Sequence, residues 1–200
     1  MRFALLLLAA ASLAQVPERA RQDREILYEL QPPATHAFRI THDYTESRAG
    51  TPYYLNIVRT GSKVKDPESI DLDSGEALKW EVISGAELKR RKMTASENVA
   101  DNAEIVVTHY ARPVPDGGGT SVRLLETYED AVSYSEKDGE LVFDRTLGRP
   151  RNLVALPAGW RLTGCTIPAT VVMLADGRML LTFINPRSDE IHVVIKARRR

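Results

Sequence analysis

From Glu25 onward the dominant spacing of apolar positions is two, the signature of strands that bury one face. In 77–83, Leu78, Trp80 and Val82 alternate with Ala77, Lys79 and Glu81. This predicts a half-buried strand with Trp80 in the core, preceded by the turn-forming Asp73-Ser74-Gly75. Segments 104–112 and 120–128 read as strands flanking Pro113-Val114-Pro115-Asp116-Gly117-Gly118-Gly119. That stretch suits a loose hairpin loop, with a subdivision of the chain near 113–119 as the other reading. Asp138-Gly139 lies between 132–136 and 140–145, and Asp176-Gly177 between 170–174 and 178–184. Asp-Gly tolerates the positive φ of a type I′ turn, so both are predicted hairpins.

The last strand places Ile191, Val193, Ile195 and Ala197 inward, with His192, Lys196 and Arg198 outward. Residues 160–198 then predict a C-terminal antiparallel β-meander of about four strands. Helical stripes are nearly absent. The exception is the polar stretch 84–102, read as a long excursion between strands with a helical turn across 86–93. Together these features predict an all-β chain over 25–198, an antiparallel β-sandwich that is Ig-like in outline.

The N-terminus has a different texture. Arg2, the apolar run 3–11 and Ser12-Leu13-Ala14 have the layout of a removable secretory signal over 1–14, followed by a charged, patternless leader over 15–24. The expectation is a secreted or periplasmic protein whose mature form begins at Gln15. The apolar run is too short to span a bilayer, and no later segment supplies about 20 apolar residues, so no membrane span is expected. The chain carries 27 basic and 27 acidic side chains; removing 1–14 takes only Arg2, leaving 26 against 27. Such balance provides no field for steering nucleic acid, and no nucleic-acid partner is expected. The cluster Lys196, Arg198, Arg199, Arg200 reads as a solvated end of an edge strand. Cys165 is the only cysteine, so stability rests on burial rather than an internal disulfide, and Cys165 itself reads as a small buried hydrophobe.

Four histidines, at 36, 42, 109 and 192, raise the question of metal or acid–base chemistry. His36 and His42 on one strand would lie about 20 Å apart at roughly 3.3 Å per residue, too far to share an ion. No compact ligand set for zinc is visible, and neither a metal nor a cofactor is expected. Asp71-Leu72-Asp73-Ser74-Gly75 resembles a calcium loop superficially, but Gly75 comes one position early and Val82 stands where a bidentate glutamate belongs. The sequence holds no Gly-x-Ser-x-Gly, no His-Glu-x-x-His and no phosphate-cradling glycine loop.

Two candidates for binding remain. The connection 144–152 concentrates Arg145, Arg149 and Arg151, whose forks suit carboxylate or phosphate groups unless they pair with Asp144 or nearby glutamates. Tyr54 shares a face with Asn56, opposite Tyr53, Leu55 and Ile57, which makes it the best single candidate for an outward aromatic that stacks on a sugar. The resulting expectation is an exported noncatalytic module that binds an extracellular or periplasmic protein partner, with 84–102 and 145–151 as its contact regions. The alternatives are a carbohydrate-binding module using Tyr54 on a polysaccharide, and a secreted hydrolase or metal-binding protein.

Overall fold

A computed structural model describes residues 24–95, 98–187 and 189–200. The segments assigned to the signal and to most of the leader lie outside the described residues; Arg24 already belongs to the first strand. The period-two pattern becomes three sheets. The largest has seven strands in the order β12 (Thr170–Met173), β13 (Met179–Ile184), β10 (Arg151–Ala155), β1 (Arg24–Leu30), β2 (Ala37–Glu46), β7 (Thr120–Glu129) and β4 (Lys63–Asp71). A four-stranded sheet runs β11 (Trp160–Cys165), β14 (Ile191–Arg199), β9 (Glu140–Leu147), β8 (Tyr134–Lys137). A three-stranded sheet runs β3 (Tyr53–Ile57), β6 (Glu104–His109), β5 (Lys79–Ser84).

The two smaller sheets cover the same face of the large one. On β2, Phe38, Ile40, His42, Tyr44 and Glu46 are buried, and on β7, Val122, Leu124, Glu126 and Tyr128. At one end of this face the four-stranded sheet packs down: the Phe38 ring meets Phe143 edge-on at 5.6 Å and lies 6.4 Å from Tyr134. At the other end the three-stranded sheet packs down, with Tyr54 4.9 Å from Tyr44 and the Ser69 and Thr108 hydroxyls 2.7 Å apart. The product is an all-β sandwich whose second layer is split in two. Behind the three-stranded sheet sits α1 (Gly85–Arg90), capped by the Ser84 hydroxyl, which accepts from the Glu87 N–H at 3.1 Å. Leu88 closes on Val99, Ile83, Ile105 and Val107. A Cβ on Gly85 would stand 1.9 Å from the Ala100 carbonyl oxygen, so the return of the excursion against the helix requires glycine there.

Both Asp-Gly hairpins form. Asp138 and Gly139 take φ of 53° and 72°, the pair of positive values a type I′ turn needs. At the second, only Gly177 is left-handed, with φ 80°. The Gly177 N–H donates to the Leu174 carbonyl and the Leu174 N–H to the Arg178 carbonyl, giving a longer bulged hairpin between β12 and β13.

Several expectations are corrected. Strands β6 and β7 do not pair with each other, so 113–119 is a crossover between layers rather than a hairpin loop; it is anchored by buried Val114, which exchanges hydrogen bonds with Gly50 and Thr51. The four strands of 160–198 do not make one meander: β11 and β14 pair in the four-stranded sheet, while the β12–β13 hairpin lies in the seven-stranded one. Pro168, without an N–H for a ladder, sits in the connection where the chain changes layers. One pairing is parallel, that of β1 with β10. Trp80 lies on an edge strand and is 43 % exposed rather than in the core. Cys165 is half-buried. A register shift between Leu162 and Gly164 turns it onto the side of Trp160 and Leu162, and its thiol donates to the Ile167 carbonyl.

Truncating Phe143, at the centre of the ring cluster with Tyr28, Phe38 and Tyr134, tests this arrangement. Phe143→Ala is expected to cost about 3–5 kcal/mol in urea unfolding, whereas Trp80→Ala is expected to cost less than about 1 kcal/mol.

Candidate functional site

Where the two smaller sheets meet they leave a seam, and beneath it lies a cavity of about 470 Å³. Its floor is the middle of the large sheet: Ile40 and His42 of β2, Leu124 and Glu126 of β7. One wall is 56–60, the exit of β3, together with Asn98, Val99, Ala100 and Ala103 from the excursion. The opposite wall is Arg145, Thr146, Gly148 and Arg149, leaving β9. Arg59 spans the seam, donating from Nη2 to the Thr146 carbonyl at 2.9 Å. The two regions singled out in the sequence as contact segments therefore face each other across one cleft.

The three candidate arginines separate into different roles. Arg145 is 5 % exposed; its Nη1 donates to Asp130 Oδ2 at 3.0 Å and to Ser133 Oγ at 3.2 Å, and its guanidinium lies 5.0 Å from the Phe38 ring centre. Asp130 in turn accepts from the Ser133 and Val132 N–H groups and from the Ser133 and Ser62 hydroxyls. Burial alone would raise the Asp130 carboxyl, but the bonds from Ser133 and Ser62 and the charge of Arg145 hold it below its ordinary value. This pair pins the β7–β8 turn to β9 and is structural. Arg151 lies on β10 at the surface, 3.5 Å from Glu25. Arg149 is the one that faces the cleft without a carboxylate: its contact is Nη2 to the Tyr54 hydroxyl at 3.4 Å, and its shielded Nε has no acceptor. Asp144, weighed as a partner for these arginines, instead meets His192 at 2.6 Å.

Tyr54 is not an outward platform. Its ring packs between Tyr44 and His42, at 4.9 and 5.8 Å, because β3 is covered on both faces, by the large sheet on one side and by the excursion on the other. Its neighbour Asn56 donates to Glu126 Oε2 at 2.7 Å and to the Tyr128 hydroxyl at 3.0 Å. Glu126 and His42 are each 4 % exposed, and each carries a shielded atom without a protein partner, Oε1 and Nε2. Burial pushes the Glu126 carboxyl up against the opposing bonds from Asn56 and Tyr128, favouring its protonated form. Burial, then the charges of Arg149 and Arg24, push the His42 imidazole well below its ordinary value and keep it neutral.

Contrast Glu46, fully buried on the same strand face: its carboxylate accepts from the Tyr44 hydroxyl, the Ser47 and Arg48 N–H groups and the Arg48 guanidinium. Glu46 is satisfied within the fold; Glu126 is half-satisfied at the seam. Glu126 and Asn56 were not among the sequence candidates. A signal existed for Glu126, since it occupies an inward position in the alternation of Val122, Leu124 and Tyr128. The histidines do not converge: His36 bonds the Tyr134 carbonyl, His109 meets Glu81, and His192 meets Asp144. Among the described residues there is no group of three or more His, Cys, Asp or Glu arranged to hold a metal ion, and no helix long and apolar enough to cross a membrane.

Opposite pH dependences follow from the two floor residues. The unfolded chain protonates His42 from about pH 6.5 downward while the native chain resists, so this group lowers stability as pH falls from there. Native Glu126 retains a proton above about pH 4.3, where the unfolded chain has lost it, so its contribution to stability declines as pH rises from there through its raised native value. Urea midpoints measured across this range are expected to show His42→Gln flattening the acid-side loss and Glu126→Gln flattening the loss toward neutral pH.

No family model matches this chain, and no curated protein does. Solved structures share its fold. A glutamate-to-alanine variant of the M1 zinc metallopeptidase from Deinococcus radiodurans superposes with a TM-score of 0.50 at 13 % identity, over 88 % of this chain and 41 % of that one. A complex of that variant with a Tyr-Ser-Ala substrate gives 0.50 at 12 % identity with the same coverage. The chain thus spans less than half the length of these structures, and the likeness is one of fold. The zinc named for those peptidases does not fit the residues here, given the scattered histidines and the lack of His-Glu-x-x-His.

Proposed function

We propose that this chain is an exported, noncatalytic β-sandwich recognition module that engages its partner at the seam cleft. One observation carries the reading: the 84–102 excursion and the 145–151 connection, distant in sequence, supply opposite walls of one cavity whose floor holds half-satisfied polar groups. A cleft of this volume, whose lining mixes aliphatic side chains with convergent polar groups, has the dimensions of a binding site. Binding is favoured over hydrolysis because, among the described residues, the histidines bond carbonyl or carboxylate oxygens, or nothing, rather than a hydroxyl or thiol that they could activate. The polysaccharide alternative loses its platform, since the Tyr54 ring is packed inside.

Photo-crosslinking residues placed at Asn98 and Thr146, on opposite lips, test the reading in the exported fraction of the native host. Both are expected to yield an adduct of the same partner, and a control at Ile184, 72 % exposed and away from the cleft, is expected to yield none. Absence of adducts at the lips, or equal labelling at Ile184, overturns it. N-terminal sequencing of the exported protein is expected to begin at Gln15; cytosolic retention with residues 1–14 intact overturns the export part.

A further inference from the structure

The geometry points to a more specific occupant: the seam cleft binds a small molecule or chain end that bears a single carboxylate, gripped by Arg149, with an uncharged polar group meeting Glu126 and His42. This rests on the recognition reading and narrows it to a ligand class.

Arg145 is neutralised by Asp130 and hydrogen-bonded by Ser133. Arg59 is committed to the Thr146 carbonyl. Arg24 also has a shielded Nε without an acceptor, but it lies over the Tyr44 ring at 4.6 Å and does not line the cavity. Arg149 has no carboxylate within salt-bridge distance among the described residues, only a long contact to the Tyr54 hydroxyl, while its Nε is shielded and unpaired. A guanidinium drawn out of water without a counter-charge is a standing demand for an anion. The Nε–Nη2 edge is the fork that receives a carboxylate through two parallel bonds, and on Arg149 that edge is uncommitted except for the 3.4 Å contact.

The floor limits the charge of the guest. Glu126, 4 % exposed, has its carboxyl pushed toward the protonated form, with Oε1 unpaired. Glu190 adds a second acid to the lining. Arg149 offers one shielded fork without an acid, which a single carboxylate fills, and the Glu190 carboxylate in the lining disfavours a guest of higher negative charge. The unpaired His42 Nε2 and Glu126 Oε1 offer hydrogen-bonding sites to a hydroxyl or amide. Ile26, Ile40, Val58, Val99 and Leu124 line the remaining space and accept an aliphatic portion.

The test uses the full mature chain and defined probes: N-acetyl-leucine, its amide N-acetyl-leucinamide, and N-acetyl-Ala-Ala-Leu with a free or amidated C-terminus, titrated by calorimetry and by NMR. Carboxylates are expected to bind about 10- to 100-fold more tightly than the matching amides. Arg149→Met is expected to erase that preference while retaining or raising Tm, since it removes an unpaired charge, and Arg149→Lys to restore part of it. Preference for N-acetyl-leucine over the tripeptide assigns a free acid, and the reverse order a chain end; both support the carboxylate. Equal binding of acid and amide, no binding by any probe at millimolar concentration, or a preference untouched by Arg149→Met overturns it. Crosslinked adducts at Asn98 and Thr146 alongside such a failure would leave the recognition reading standing with a different ligand class.

Discussion

The architecture depends on a mismatch of size. Strands β2 and β7 are ten residues each, roughly 33 Å at about 3.3 Å per residue, and pair over their full length. Neither smaller sheet is large enough to cover that inner face, so two sheets share it and a seam is left across the middle. Phe38 and Tyr128 lie under one covering sheet, and Tyr44 with the satisfied Glu46 under the other. Ile40, His42, Leu124 and Glu126 lie between. Tyr54 and Asn56 of β3 reach His42 and Glu126 from one side only, which leaves Nε2 and Oε1 without a protein partner.

Two arginines four residues apart show how this geometry separates a paired charge from an uncompensated one. Arg145 lies within β9, where Asp130 and Ser133 on the β7–β8 turn are within reach and the aromatic rings of the core sit against its guanidinium. Arg149 comes after the strand has ended, beyond reach of that turn, so it projects into the cleft with its charge uncompensated. The same side chain is therefore paired with an acid in one position and left without one in the other. What differs is whether the strand or the loop holds it.

Much of the fold is legible in the chain because alternation determines which side of a strand faces inward. Ile191, Val193 and Ile195 are placed correctly by phase alone, as is the turn at Asp138-Gly139. Phase does not say which layer a strand joins, and there the reading departs. The segment after Cys165 and the stretch 113–119 both look like local connections, yet each carries the chain across the sandwich. Phase likewise cannot distinguish a covered outer face from an open one, so Tyr54 looks solvent-facing until the large sheet is laid against it. The cleft itself is a product of layer assignment. Of the arginines, sequence supplies the cluster, and only the packing reveals that Arg149 is the member without a counter-charge.

The parallel pairing of β1 with β10 has a consequence for how the chain acquires its form. Glu25 lies beside Arg151 and Ile26 beside Asn152, so the innermost strand of the large sheet waits for a neighbour more than a hundred residues further along. An N-terminal half emerging first has its central ribbon flanked on one side only, with an unfilled ladder that invites pairing with other chains. Closure belongs late in assembly, after nearly all of the polypeptide is present, and contacts of such long sequence separation make that step slow. A chain built this way remains uncommitted while it is being synthesised and becomes a finished sandwich only once its distant halves meet.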